Sequence, residues 1–162
     1  MASDSATGVI VGIDVTNAGR DHAQLEPMYE QLERCYGRAP EEMLVDGGYV
    51  VLDTIEAMEA RGCRIYAPPM QPKDPTRNPF RPLPDDVPEV ARWRRRMGTE
   101  GGKRKYKQRS EGECVNAHAR NRGLLRLLVR GVKRVRCVLL LHGLAHNAMR
   151  AHALFRTAAE AA

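Results

Sequence analysis

A chain of 162 residues, 43% hydrophobic and 28% charged, is long enough to bury a core and too apolar to stay disordered throughout. Its longest apolar run, Cys137 to Leu141, has five residues, which excludes a membrane-spanning helix, and the start MASDSATG has neither the basic nor the apolar segment of a signal peptide, so a cytoplasmic protein with no membrane partner is expected. The net charge of +6 is polarised: residues 1–90 carry 8 Lys/Arg against 16 Asp/Glu, residues 91–162 carry 18 against 4, and so basic a half attracts polyanions, nucleic acid first among them, unless it is only a solvated face.

The first element is GVIVGIDVT (8–16), β-branched and closed by NAGRD, which reads as a buried strand. Asp21 then suits a helix N-cap, with Leu25, Met28, Leu32, Cys35 and Tyr36 at helical spacing up to a stop at Gly37. MLVDGGYV (43–50) is a short strand running into Asp46 and two glycines; residues 50–61 are helical, ending at Gly62; CRIYAP (63–68) is a third strand. The order β-α-β-α-β implies parallel strands joined by crossover helices. Most of the ten prolines fall between Pro68 and Pro88, which makes that stretch a surface insertion or extended arm. A helix follows from Asp86 to Met97, GTEGGKRK (98–105) reads as a flexible basic link, and helices over 109–130 and 133–157 close the chain. The last would bury a side made of Val135, Val138, Leu139, Leu141, Leu144, Ala145 and Met149. Cys35, Cys63, Cys114 and Cys137 form no CxxC pair and are expected as buried thiols.

Two acids stand out. Asp46 closes a strand of the expected parallel sheet and precedes Gly-Gly, which lets a ligand or a second backbone come close; the plainer reading is a turn capped by an aspartate. Glu113 shares a helix face with Asn116 and Arg120 within RSEGECVNAHARNRG (109–123), where a solvated salt-bridge ladder is the plainer reading. About 70 residues apart, the two could still converge on Mg²⁺, which takes a few carboxylate oxygens plus phosphate. The run WRRRMGTEGGKRKYKQR, with eight cations, would hold the phosphodiester.

VDGGYV (45–50), YAPP (66–69), the basic stretch 93–123, RLLVRGVKRVR (126–136) and LAHNAMR (144–150) together resemble the C-terminal part of a bacterial insertion-sequence DDE transposase. Tyr106, Arg109, Glu113 and Arg120 follow its Y-x2-R-x3-E-x6-K signature, with Arg at the last place. The resemblance spans nearly the whole chain. It implies an α/β fold, a truncated RNase H-like core (a β-α-β-α-β remnant) with a Pro-rich insertion and two C-terminal helices. The organisation expected is a partial core over 1–67, a Pro-rich and basic insertion over 68–105, and closing helices over 106–158.

In that family three acids bind two Mg²⁺ ions, cut the element's DNA ends and join the freed 3′ hydroxyl to target DNA. Asp46 and Glu113 resemble the second and third acids, catalytic and metal-binding. Tyr106, Arg109 and Arg120, with Asn116, Lys105 and Lys107, are the expected DNA contacts. Trp93 is expected to pack rather than stack on a base. The partners implied are element-end and target DNA, together with a second copy or an intact transposase, in the bacterial cytoplasm at the nucleoid.

The family's first acid lies on a strand before anything present in this chain. Residues 8–16, 43–46 and 63–67 would be its third, fourth and fifth strands, and SDSATG the turn of a second-to-third hairpin. Asp14 would sit roughly 10 Å from the missing acid's place, so the chain alone is expected to be inactive. A three-stranded, marginally stable remnant follows. The alternative is a non-catalytic DNA-binding remnant that competes with intact transposase, and an unrelated basic α/β protein is a third reading.

Overall fold

In chain order the elements are β1 (Ala2–Ser3), β2 (Ile10–Gly12), α1 (Leu25–Tyr36), β3 (Glu42–Leu44), a 3-10 turn (Gly47–Tyr49), α2 (Leu52–Ala60), β4 (Arg64–Tyr66), α3 (Pro88–Gly98), α4 (Glu100–Lys107), α5 (Ser110–Asn121) and α6 (Val132–Glu160). These come from a computed structural model that describes residues 1–17, 24–49, 51–124 and 126–160. Two compact units emerge, Met1–Ala18 with Ser110–Ala162, and Gly19–Arg109. The result is a mixed α/β protein with short sheets and several helices.

In the Gly19–Arg109 unit the strand and helix order is as expected. Helix α1 buries Leu25, Tyr29 and Leu32 at helical spacing and ends on Gly37, whose φ of 67° only glycine adopts readily, donating its N–H to the Glu33 carbonyl. The Asp21 cap lies outside the described residues. Strands β3 and β4 pair in parallel, with Met43 opposite Ile65, and α2 is their crossover. Ile55, Met58, Cys63, Ile65 and Ala67 are fully buried with Trp93 and Met97 of α3 against them, so Trp93 packs, as expected.

The Pro-rich stretch forms no strand or helix between β4 and α3 but is tied down. Arg94 of α3 pairs with Asp86 at 2.8 Å and donates to the Pro79 carbonyl at 3.0 Å, while Asp86 also accepts the Leu83 N–H at 2.8 Å. The link expected over 98–105 is instead largely helix α4. Thr99 caps it by accepting the Gly102 N–H at 3.0 Å. A Cβ on Gly102 would lie 2.0 Å from the Arg96 carbonyl oxygen, so this glycine permits the close approach of α3 and α4.

In the other unit β1 and β2 form an antiparallel pair, the hairpin anticipated around SDSATG. Among the described residues β2 does not join β3 and β4, so the expected three-stranded sheet is two two-stranded sheets instead. The backbone of β2 that faces away from β1 is taken by α6: Asn147 accepts the Ile10 N–H and donates to the Ile10 carbonyl, both at 2.8 Å. His146 Nε2 lies 2.9 Å from the Gly8 carbonyl and Arg150 Nε donates to that of Thr7 at 2.8 Å. Gly143 makes room, since a Cβ there would be 2.6 Å from Ile13.

Three expectations are corrected here. Helix α5 ends at Asn121 rather than near 130, because Gly123 turns left-handed at φ 90° and the Leu124 N–H returns to the Ala119 carbonyl. Helix α6 buries Gly143 and His146; of the expected apolar side Leu139 packs against Ile10, Ile13 and Val115, while Leu141, Leu144 and Met149 are exposed. Only Cys63 is a buried thiol, pushed up to about 12 by desolvation and then by Glu59 and Glu42, whereas Cys35, Cys114 and Cys137 are exposed, on helix faces turned from either core.

Asn147→Ala removes both partners of the Ile10 backbone, and is expected to destabilise the hairpin by about 2 kcal/mol. Hydrogen exchange at the Ile10 amide should speed up accordingly; unchanged protection would refute the clamp.

Candidate functional site

Strand β3 delivers Asp46 to its carboxyl end. The Val45 N–H still bonds the Tyr66 carbonyl at 3.0 Å, continuing the ladder by one residue, and the chain then turns: Asp46 Oδ1 accepts the Gly47 N–H at 2.7 Å, and its carbonyl accepts the Tyr49 N–H at 3.0 Å. The aspartate therefore does cap its turn, yet its side chain remains 64% exposed. At Gly47 an added Cβ would touch Pro68 at 3.4 Å, so DGG and YAPP lie side by side.

Into this corner comes Arg109, just past the end of α4, with Nη1 3.8 Å from Asp46 Oδ2. Its guanidinium also stands 5.5 Å from the centre of the Tyr106 ring, and Tyr106 packs on the core, so the aromatic ring fixes where the arginine can reach. An acid and an arginine that the sequence separates by some 60 residues thus meet at one strand end, with Tyr106 beside the arginine. Lys105 points elsewhere. Its ammonium pairs with Glu42 at 2.7 Å, and Glu42 also meets Arg64 at 2.9 Å and accepts the Tyr66 hydroxyl at 3.3 Å. Lys105 foremost, against the opposing effect of burial, holds the Glu42 carboxyl below its ordinary range. Lys107 is exposed.

Glu113, Asn116 and Arg120 lie in the other unit, exposed along one face of α5, while Val115 and Ala119 on its opposite face are buried. The stripe expected from the spacing is present. Sequence reading did not foresee Arg122, whose Nη1 lies 3.3 Å from His146 Nδ1, nor the grip of LAHNAMR on the backbone of residues 7–10; a short polar cluster inside an apolar helix was the available signal. Among the described residues no group of three His, Cys, Asp or Glu side chains is placed to hold a metal ion, and no helix is long and apolar enough to cross a membrane.

The model of the Transposase DDE domain family matches residues 1–148, and the chain belongs to that family, as a DDE-type transposase segment. Membership connects it with DNA transposition, a DNA substrate and the family's use of divalent metal. No curated protein and no solved structure matches it.

A pH dependence follows from Glu42. Its carboxyl sits below the ordinary value of 4.5 in the folded chain, so its pairing stabilises above the unfolded value and is lost as pH falls through the lowered one. Lys105→Met is expected to cost about 0.5–1 kcal/mol at pH 7, the range for a partly exposed pair, and nothing once Glu42 is protonated. Urea unfolding followed by Trp93 fluorescence at neutral and strongly acid pH checks this; an equal cost at both would remove Glu42 as the cause.

Proposed function

We propose that this chain supplies the second and third acids, Asp46 and Glu113, and the DNA-holding side chains of a DDE transposase catalytic domain, and that it is inactive alone. The observation that carries the reading is the meeting of Asp46 with Arg109, whose guanidinium stands by the Tyr106 ring. Two residues picked out by separate motifs, Asp46 and Arg109, have no reason to meet at one exposed strand end if the motifs are accidental.

On this reading the fold belongs to an RNase H-like core, with β2, β3 and β4 as its third, fourth and fifth strands, residues 1–67 forming the partial core, 68–105 the insertion and 106–158 the closing helices. The exposed cations Lys107 and Arg120, with Asn116, meet the phosphates of element-end and target DNA, and Arg109 and Tyr106 steady the acid; Lys105 contributes while still anchored to Glu42. The bacterial nucleoid is where such a chain would work.

Bound Mg²⁺ supplies, in such sites, activation of the attacking oxygen and stabilisation of the leaving one. Asp46 and Glu113 carry the hard oxygen donors Mg²⁺ takes. The described residues do not make up a metal centre by themselves, because no group of three donors is present among them. The second reading is a DNA-binding remnant that competes with intact transposase.

Anisotropy titrations with duplex DNA at several salt concentrations, run beside a Mg²⁺ nicking assay, test both parts. Binding should weaken steeply with salt, and Lys107→Ala or Arg120→Ala should each flatten the log–log slope by about 0.9 for every phosphate the variant no longer neutralises. No nicking is expected. Mg²⁺-dependent nicking abolished by Glu113→Gln or Asp46→Asn would overturn the inactivity, and binding insensitive to salt would overturn the DNA contacts. Excess chain that displaces intact transposase from its DNA would establish the competing role.

A further inference from the structure

Helix α6 runs for 29 residues and buries only Gly143 and His146. One of its faces is spoken for: Gly143 meets Ile13, His146 the Gly8 carbonyl and Arg150 the Thr7 carbonyl. On the other side Cys137, Leu141, Leu144, Ala148, Ala151 and Phe155 follow one another in steps of four, three, four, three and four residues. A further step of three reaches Ala158. At about 100° per residue, Ala148 and Leu144 sit about 200° to either side of His146, so this stripe points directly away from the hairpin.

The stripe is in water. Leu141 is 63% exposed, Leu144 71% and Phe155 75%. Scattered apolar residues would need no explanation, but an unbroken seam about 32 Å long, with the 3.5-residue period of a helix that packs on another helix, does.

A second copy of the same chain fits this seam best when it runs antiparallel. With the two-fold axis at residue 146, Leu144 falls opposite Ala148, Leu141 opposite Ala151 and Phe155 opposite Cys137, so each large side chain meets a small one. A parallel pair would stack Phe155 on Phe155 and leave alanine layers unfilled. Charge points the same way. Lys133 and Arg134 in the first turn would lie beside the carbonyl end of the opposing helix, where Glu160 already pairs with Arg156 at 3.3 Å, whereas parallel packing would crowd the cations together.

We propose that α6 is a self-association surface, two copies of this chain packing antiparallel along the Cys137–Ala158 seam. The proposal stands on α6 alone and does not depend on the catalytic reading. Because the partner copy docks on the face turned from the hairpin, association leaves the Asn147 clamp intact.

Sedimentation equilibrium of the full chain across micromolar concentrations is the test. A monomer–dimer equilibrium is expected, with Leu144→Glu or Leu141→Glu weakening it at least about tenfold, while Ile10 amide protection stays unchanged. Leu128→Glu, at a residue 92% exposed and off the seam, should leave the dimer alone. In a C35S/C114S background, oxidation should not link the native Cys137 pair, whereas adding F155C should give a covalent dimer. A chain monomeric throughout, or one whose association survives Leu144→Glu, overturns the proposal. A ready Cys137–Cys137 link overturns the antiparallel arrangement.

Discussion

Among the described residues each sheet has only two strands, and the rest of the structure depends on how their outer edges are closed. An unpaired edge leaves backbone N–H and C=O groups either unsatisfied or open to another chain. In the β3–β4 pair, Arg64 and Tyr66 bond across to β3, which turns the Ile65 backbone outward. Glu59 of α2 accepts the Ile65 N–H at 2.8 Å, Arg96 of α3 donates to the Ile65 carbonyl at 3.0 Å, and the two side chains pair with each other. Burying such a charge pair is tolerable only because nearly every polar atom in it is used. In the β1–β2 pair, Asn147 does the equivalent for Ile10 with one amide. Helix side chains therefore stand in for missing strands in both units.

The candidate site follows from that closure. With β4 held, β3 has a fixed register, and the chain leaving it turns at Asp46 against Pro68. With Arg96 held, α3 has a fixed end, and Gly102 lets α4 fold back tightly enough for Arg109 to reach the strand terminus. The basic stretch is accordingly not a loose polyelectrolyte. One of its cations, Lys105, is committed to Glu42, another, Arg109, to Asp46, and Lys103 to Glu100; Arg104 and Lys107 are exposed on helix α4, which holds its cations in order before a phosphate backbone arrives.

Helix α6 has its polarity reversed relative to an ordinary surface helix. Its polar residues grip the hairpin backbone, and Leu141 and Leu144 face water while Leu139 packs on Ile10 and Ile13. The clamp needs hydrogen-bonding groups inward because what it covers includes a strand edge as well as the apolar side chains of Ile10 and Ile13. The apolar seam is then left over for a second surface of the same kind, which joins the way this unit is held together to the way it can associate.

The sequence by itself determined the local elements and the motifs: the stop at Gly37, the crossover β3-α2-β4, the polar stripe on α5 and the signature from Tyr106 to Arg120, because turn chemistry and 3.6-residue periodicity act between near neighbours. It also carried the family, through several motifs in order. Tertiary structure decided what depends on contacts distant in the chain. GTEGGKRK became helix through a close approach at Gly102 that flexible-link composition conceals. Leu141 and Leu144 of α6 went outward because Asn147, His146 and Arg150 had a strand edge to satisfy, and periodicity reports that a face is apolar without saying what covers it. Asp46 and Arg109 came together across some 60 residues, a pairing that no local rule contains and that only the packing of α3 and α4 on β4 could bring about.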